Sequence, residues 1–594
     1  MAEAKESKHP DTLISRLESL ISAFQAKFAH TWAIEIGIVA LVSIVFAVIF
    51  GRVARGGANS SDITMYLNLG MNGIKMPFVL NRYFHIFIQQ LFVGPASAPM
   101  AGYHTFWGFL VGINTFMIYI AARKVRPNNT ILHGILGVMF FFAMSVIGAI
   151  SGVIVVDLTA MTMMLAFFML YILSMNKGHA NPWLVASLGF VFYLAFKTKE
   201  TTMPVAVLFL GLGWVAGERF SWRNLLKNAL WVASGTLTGV IFFGILSWII
   251  LGDPFFGLRI SEWREFRDTY AVYSSRVLDT LNALGDGNID DWYQGYWFEI
   301  TLLPFLFYLI SGIKVSRDGF IPRKVLWLVP LAYVVFMLLS INNRLGYELR
   351  FGLPILPILS VLAPQFIDLS APRGEGARVK YWLVMGVGIL LAFGIRLVLR
   401  LVVPGMGWDL GAVVTLVYYP LFLTLLFGSL ILFHERPYAH LFNFMVVFSL
   451  LISPIASNYR AMFVVRENET KFNEVIQPLV AFEDEIQFTP GMRLYATANT
   501  FTKAELRIIK SLDELVAIFN VLFDASATRE NFTYGETLDD LSNAILAERY
   551  DYVLMAEGEW QTLLGMGEAT QQVQAVYKAL ISPAGGFVLL TRLV

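Results

Sequence analysis

Long runs of apolar residues limit the fold of this chain more than any other feature. Residues 31–50, TWAIEIGIVALVSIVFAVIF, form the first run, and similar runs recur as far as about residue 456. A run of 18 or more apolar residues is long enough to cross a bilayer as a helix. The chain is 57% hydrophobic and 15% charged, whereas soluble proteins carry about 25% charged residues. The sequence therefore predicts an α-helical polytopic membrane protein.

We predict about thirteen spans of roughly 20 residues each. They begin near Thr31, Thr105, Ile131, Leu158, Pro182, Met203, Ala229, Phe298, Val325, Phe351, Tyr381, Gly411 and Leu441. Two long loops separate some of them, at residues 53–103 and 252–297. Residues 1–30 place Leu and Phe at helical spacing among charges, which predicts an amphipathic helix on the membrane or on the protein's own cytoplasmic face.

The charges of the short loops predict how the chain is oriented in the plasma membrane. AARKVRPNN, GERFSWRNLLKN and KVSRDGFIPRK are basic, whereas the alternate links VVDL, GDPFFG and GMGWDLG are not. Basic loops of membrane proteins lie on the cytoplasmic side. The N-terminus is therefore predicted to be cytoplasmic, and both long loops lie outside. An odd number of spans also places the C-terminus outside.

The character of the chain changes after about residue 456. RLYATAN, YDYVLMA and the final GGFVLLTRLV are typical of strands, and LDELVAIFNVLF and LDDLSNAILAE of helices. Alternating strands and helices predict a small α/β domain. The predicted organisation is a segment at residues 1–30, a transmembrane module at 31–456 and an extracytoplasmic α/β domain at 457–594.

Several ionisable residues lie at the predicted outer ends of spans, or in the loops there. They are Asp62, Arg82, Asp157, Lys197, Lys199, Glu200, Arg344 and Arg350. Charged groups in or beside a membrane are costly and often mark function, although a single Lys or Arg also serves as an interfacial anchor. Carboxylates beside cations suggest a base or metal ligand next to a phosphate site. His85 and His104, also outside, are either site residues or ordinary interface histidines.

The absence of cysteine excludes disulfides, thiolate metal sites and a cysteine nucleophile. Nothing in the charge pattern indicates nucleic-acid binding, so the expected partners are membrane lipids and the substrates of the outer site.

Three stretches resemble the GT-C fold glycosyltransferases that use lipid-linked sugars, in particular the protein O-mannosyltransferase and aminoarabinose transferase group. In the first outer loop, Asp62 precedes Tyr66, although the family's acidic pair is reduced here because Ile63 follows Asp62. FKTKETTMP is similar to the family's Thr-Lys-Glu or Thr-Lys-Phe segment. ELRFGLPILPIL is similar to the Arg-Tyr-x-x-Pro segment that begins a late span.

The resemblance implies a polyprenyl-phosphate-linked sugar donor and an acceptor glycan, lipid or protein. Asp62 would be the catalytic base of an inverting transfer. The cations implied to bind the donor phosphate are Lys199, Arg350, Arg82, Lys197 and Arg344. Asp157, Tyr66 and Glu200 would support the acceptor or a metal ion, and the need for Mg²⁺ or Mn²⁺ is left open.

Three alternatives differ from this interpretation. A transporter or flippase of lipid-linked saccharides would be expected to place its site near the bilayer midplane. An O-antigen ligase or polymerase usually lacks a large soluble C-terminal domain. A non-catalytic scaffold would use the outer domain to bind a partner. The concentration of charges at one predicted face favours glycosyl transfer.

Overall fold

The structure is a computed structural model of the 594-residue chain. The described residues are 32–53, 82–93, 99–125, 131–144, 155–175, 181–199, 202–215, 221–255, 323–332 and 354–366, single positions at 95 and 309, isolated positions between 383 and 482, and much of 485–593. The predicted segment at residues 1–30 lies outside them, as does nearly all of both predicted long loops except the helix at Tyr83–Val93 and the flanking ends.

The described part of residues 32–366 is helical. Its helices are α1 (Trp32–Val53), α2 (Tyr83–Val93), α3 (Pro99–Lys124), α4 (Ile131–Phe142), α5 (Val155–Met175), α6 (Pro182–Thr198), α7 (Thr202–Leu208), α8 (Trp222–Leu251), α9 (Arg323–Leu326) and α10 (Leu356–Phe366). A π-helical segment, Phe209–Gly213, continues α7.

Four of the described helices are long and apolar enough to cross a bilayer: α1, α3, α5 and α8. The apolar stretches of α3 and α5 are mostly buried, whereas those of α1 and α8 are mostly exposed. Leu41 on α1 is 63% exposed and Leu230 on α8 is 72% exposed. In water such faces would be strongly unfavourable, so their surroundings are lipid. This is the arrangement of a multi-pass membrane protein, as predicted; the total of about thirteen spans stays a prediction.

Contacts between helices give their relative directions. Near the end of α1, Gly51 meets the backbone of His104 near the start of α3, while Glu35 at the start of α1 contacts Arg123 at the end of α3. α1 and α3 are therefore antiparallel. α5 and α6 are also antiparallel, because Asp157 at the start of one contacts Lys199 at the end of the other. These directions agree with the predicted alternation of spans; the side of the membrane on which each end lies stays a prediction.

Some starts differ from the predicted ones because a helix continues beyond its apolar stretch. α8 begins at Trp222, seven residues before the predicted Ala229, and its first turns carry Arg223 and Lys227. Hydropathy marks only the part of a helix within the hydrocarbon layer, whereas the backbone hydrogen bonds extend into the interface. The same effect moves the start of α3 from the predicted Thr105 to Pro99.

Glycines allow two pairs of helices to pack closely. Gly108 and Gly112 on α3 pack against the backbone of α1 around Ala47, in the small-xxx-small pattern of membrane helices. Gly189 on α6 and Gly235 on α8 allow the same close packing between α6 and α8. A Cβ at Gly235 would overlap the carbonyl oxygen of Ala186. The backbones thus approach one another too closely for any side chain at these positions.

The C-terminal part contains a five-stranded sheet of order β4-β1-β5-β7-β6. Its strands are β1 (Leu494–Thr497), β4 (Phe532–Gly535), β5 (Tyr552–Ala556), β6 (Tyr577–Ile581) and β7 (Phe587–Arg592), while β2 (Thr502–Lys503) and β3 (Leu506–Arg507) form a separate hairpin. β4, β1 and β5 are parallel, and β7 is antiparallel to both β5 and β6.

The helices of this part are α11 (Leu512–Leu522), α12 (Glu557–Leu564) and α13 (Glu568–Val576). One apolar cluster, with Leu554 and Phe519, covers one face of the sheet, and a second, with Val553 and Trp560, covers the other. The predicted small α/β fold is confirmed. Strands β4 and β6 were not predicted from the sequence.

We expect Gly235→Ala to destabilise the protein, because the new methyl group forces α6 and α8 apart. Overpacking of this kind costs about 1–3 kcal/mol, which should appear as a lower melting temperature of the purified protein in detergent. Gly37→Ala is the matched control, since nothing lies within 4 Å of a Cβ at Gly37 on α1. Equal melting temperatures for the two variants would contradict the close crossing.

Candidate functional site

The candidate site is built around a buried ion pair between Asp157 and Lys199. The Nζ of Lys199 donates to Oδ1 of Asp157, and the two side chains are 3% and 0% exposed respectively. Asp157 lies in the first turn of α5, and Lys199 is the residue that ends α6. A helix N-terminus favours an anion and a C-terminus favours a cation. Each charge is therefore stabilised by the dipole of its own helix as well as by the opposite charge of its partner.

Backbone and hydroxyl hydrogen bonds fix the position of Lys199. Its N–H donates to the carbonyl of Ala195 at 3.0 Å, and its own carbonyl accepts from the N–H and the hydroxyl of Thr202 at 3.1 and 2.7 Å. Thr198 donates to the carbonyl of Leu194 at 2.8 Å. This short connection between α6 and α7 holds the lysine in one place, so its ammonium group is preorganised.

A second buried cation, Lys197, lies in the last turn of the same helix. Its Nζ is 5.9 Å from the centre of the Tyr193 ring and 5.7 Å from that of Phe196. Contacts with the faces of aromatic rings stabilise a cation that has lost part of its water. The end of α6 thus carries two buried lysines.

Helix α2 brings a histidine and an arginine to the same region. The Nδ1 of His85 is 2.9 Å from the hydroxyl of Thr159, two residues after Asp157 on α5. At 11 residues, α2 is too short to cross a bilayer. Burial, with a smaller effect from the charge of Arg82, lowers the pKa of His85 to about 3. His85 is therefore neutral at physiological pH, and it adds polarity to the region without adding charge.

Two fully buried polar groups in this region have no hydrogen-bond partner among the described residues. They are Oδ2 of Asp157 and both amide atoms of Gln89 on α2. A buried polar atom without a partner costs about 1–3 kcal/mol. Groups of this kind are commonly retained because they bind water or a ligand.

The described residues do not supply a metal site. Within them, no three His, Asp or Glu side chains lie together in a way that could hold a metal ion. Asp157 has one oxygen bound to Lys199, and His85 is bound to Thr159. The Mg²⁺ or Mn²⁺ left open by the sequence therefore finds no ligand set in this part of the chain.

The structure describes four of the predicted site residues and brings two of them, Asp157 and Lys199, into contact. Lys197 is two residues from Lys199, and Arg82 precedes α2. The remaining predicted residues lie outside the described part of the chain: Asp62, Tyr66, Glu200, Arg344 and Arg350.

Sequence reasoning did not find the partnership of Asp157 with Lys199, because nothing in a sequence pairs residues 42 positions apart. It also missed Glu35, which accepts from Tyr119 at 2.9 Å and from Arg123 at 3.2 Å. An acid inside the first apolar run was a usable signal. This cluster joins the start of α1 to the end of α3, at the opposite end of the bundle from Asp157.

Comparison with known proteins supports the fold. No protein-family model matches the sequence, and the search of curated proteins found no match. Among solved structures, ArnT from Cupriavidus metallidurans bound to undecaprenyl phosphate aligns with a TM-score of 0.51 and 11% identity, covering 93% of this chain and 98% of that one. Its apo structure aligns with a TM-score of 0.51 and 13% identity, covering 95% and 98%. The predicted GT-C-like fold is thereby confirmed.

We expect Asp157→Leu to destabilise the protein by about 3–5 kcal/mol, because it leaves the ammonium of Lys199 buried without its carboxylate. The double variant Asp157→Leu/Lys199→Met should recover most of that loss, since both charges are gone. Thermal unfolding in detergent measures both. The single variant Lys199→Met completes the cycle. A destabilisation of the double variant equal to the sum of those of Asp157→Leu and Lys199→Met would show that the pair is not coupled.

Proposed function

We propose that this protein is a membrane glycosyltransferase. It transfers a sugar from a polyprenyl-phosphate donor to an acceptor at the outer face of the cytoplasmic membrane. The observation that carries the proposal is the buried Asp157–Lys199 pair with Lys197 nearby, at one end of a bundle whose fold matches ArnT. The ArnT structure bound to undecaprenyl phosphate supports a lipid phosphate as the ligand of such a fold.

The reaction needs a base, an electrophilic carbon and stabilisation of the leaving group. A hydroxyl or amine of the acceptor attacks the anomeric carbon, while the carbon–oxygen bond to the phosphate breaks and its electron pair stays on the lipid phosphate. Asp62 takes the proton of the acceptor. Attack from the face opposite the phosphate inverts the anomeric centre.

Cations stabilise the charge that develops on the departing phosphate. Lys199 is the first candidate, because backbone and hydroxyl hydrogen bonds fix its position and its charge is positive. Lys197, Arg82, Arg344 and Arg350 complete the proposed set. Asp157 keeps Lys199 in place, and Tyr66 and Glu200 are assigned to the acceptor side.

Placement of the charges favours an enzyme over a transporter. Asp157 is in the first turn of α5 and Lys199 ends α6, so the pair lies at helix ends and away from the middle of the apolar stretches. A transporter site is expected near the midplane, between broken helices.

Asp62→Asn should reduce sugar transfer by at least about a hundredfold, because a general base contributes about 10²–10⁴ in rate. Binding of the donor should remain, since the amide has nearly the same shape. Transfer of a radiolabelled sugar from polyprenyl phosphate by protein in nanodiscs measures the rate. Asp253→Asn is the control: its side chain accepts from the N–H of Phe255, which an amide oxygen also does. Full activity of Asp62→Asn would remove this residue as base.

Loss of a phosphate-binding cation should weaken donor binding about 10- to 100-fold, the effect of one charged hydrogen bond. We expect this for Arg350→Ala and for Asp157→Leu/Lys199→Met, in which no unpaired buried charge confuses the result. Binding of polyprenyl phosphate in nanodiscs is the measurement. Lys227→Ala, an exposed lysine on α8, should bind normally. Unchanged affinity in both test variants would remove these cations from the site.

A further inference from the structure

Gln89 is an unusual residue for the interior of a helical bundle. Its side chain is 0% exposed, and neither amide atom has a hydrogen-bond partner among the described residues. The same holds for Oδ2 of Asp157, which is also fully buried. Leucine or methionine would fill the position of Gln89 without leaving polar atoms unsatisfied. The amide therefore suggests a polar group that comes from outside the chain.

The position of Gln89 follows from its neighbours on α2. His85 lies one helical turn before it and so on the same face of the helix. The ring of His85 is 5.6 Å from that of Phe106, and the ring of Phe92, on the other side of Gln89, is 5.4 Å from Phe106. Gln89 thus lies on the face of α2 that packs against α3.

The same face reaches the ion pair. His85 contacts Thr159, only two residues from Asp157. Val156, the residue before Asp157, packs in one apolar cluster with Tyr83 and Ile86 of α2. His85 therefore connects the two groups: Gln89 follows it by one turn on α2, and its partner Thr159 lies two residues after Asp157 on α5.

The chemistry of these groups restricts what they could bind. An amide offers two donors and an acceptor, and a carboxylate oxygen only accepts. A hydroxyl group both donates and accepts, so a ligand with several hydroxyls satisfies all of these atoms at once. A purely apolar ligand would satisfy none of them.

In the proposed function, Lys199 binds the phosphate of the donor, and the sugar is joined directly to that phosphate. Any group beside the ion pair is therefore close to the sugar. Resting on that function, we propose that Gln89, together with Oδ2 of Asp157, hydrogen-bonds hydroxyl groups of the transferred sugar. The site then recognises a neutral, hydroxylated sugar, and Gln89 is a specificity-determining residue for it.

The test compares two probes, polyprenyl phosphate carrying a neutral hexose and the same lipid phosphate without a sugar. Their affinities are measured for protein in nanodiscs by displacement of a fluorescent lipid phosphate, with glucose, mannose and galactose as the hexoses. Gln89→Met, which is unbranched and similar in length, should lower the ratio of sugar-bearing to sugar-free affinity about tenfold, the loss of one or two hydrogen bonds. Its melting temperature should be equal to or above that of the wild type.

Gln90→Met is the matched control, because it makes the same chemical change at the next position, about 100° around the helix, and should leave the ratio unchanged. The ratio is independent of how much of each variant is folded. An unchanged ratio in Gln89→Met would overturn the proposal even when the wild type binds lipid phosphate and the proposed function stands. A wild type that binds neither probe would overturn both.

Discussion

The buried ion pair of Asp157 and Lys199 is the interaction on which the proposed site depends. Moving two charges out of water costs several kcal/mol each, and their mutual attraction offsets this only when the geometry is good. Here the geometry is supplied by the start of α5 and the end of α6, whose dipoles favour the charges they carry. A chain that maintains such a pair, with a second lysine beside it, gains little stability from it. What the pair does is hold the ammonium group of Lys199 in a defined position.

The rest of the bundle makes that arrangement possible. Helices α3 and α5 form the buried interior, whereas α1 and α8 face lipid. Glycines bring the backbone of α1 into contact with that of α3, and the backbone of α6 into contact with that of α8. Polar clusters lie at opposite ends: Asp157 with Lys199 at one, and Glu35 with Arg123 at the other. The second cluster ties α1 to α3 and satisfies its own carboxylate. Near the Asp157 end, Oδ2 of Asp157 and the amide of Gln89 remain without partners among the described residues.

Apolar periodicity and loop composition were enough to predict much of the fold. The predicted starts at Ile131 and Pro182 coincide with the starts of α4 and α6, because each apolar run begins where its helix begins. Strands β1, β5 and β7 were predicted because each is a short buried run. β4 and β6 were not, since their half-exposed pattern carries a weak signal.

The site was predicted less completely, for a physical reason. The charges of the loops predict which ends of the spans lie outside, and this prediction assigns Asp157, Lys197 and Lys199 to the outer face. Which of them touch depends on how α5 and α6 pack, and sequence spacing carries no information about that. Gln89 was not predicted either, because a glutamine in an apolar segment is conspicuous only when its burial and its missing partners are known. The assignment of Asp62 as the base is based on the sequence and on the family resemblance.

An experimental structure of the protein with polyprenyl phosphate in nanodiscs would show which cations bind the lipid phosphate. If the proposed function is correct, the phosphate lies at the Asp157 end of the bundle, with an oxygen about 2.7–2.9 Å from Nζ of Lys199, as in charge-assisted hydrogen bonds. A phosphate bound away from Lys199, or at the end formed by Glu35 and Arg123, would contradict it.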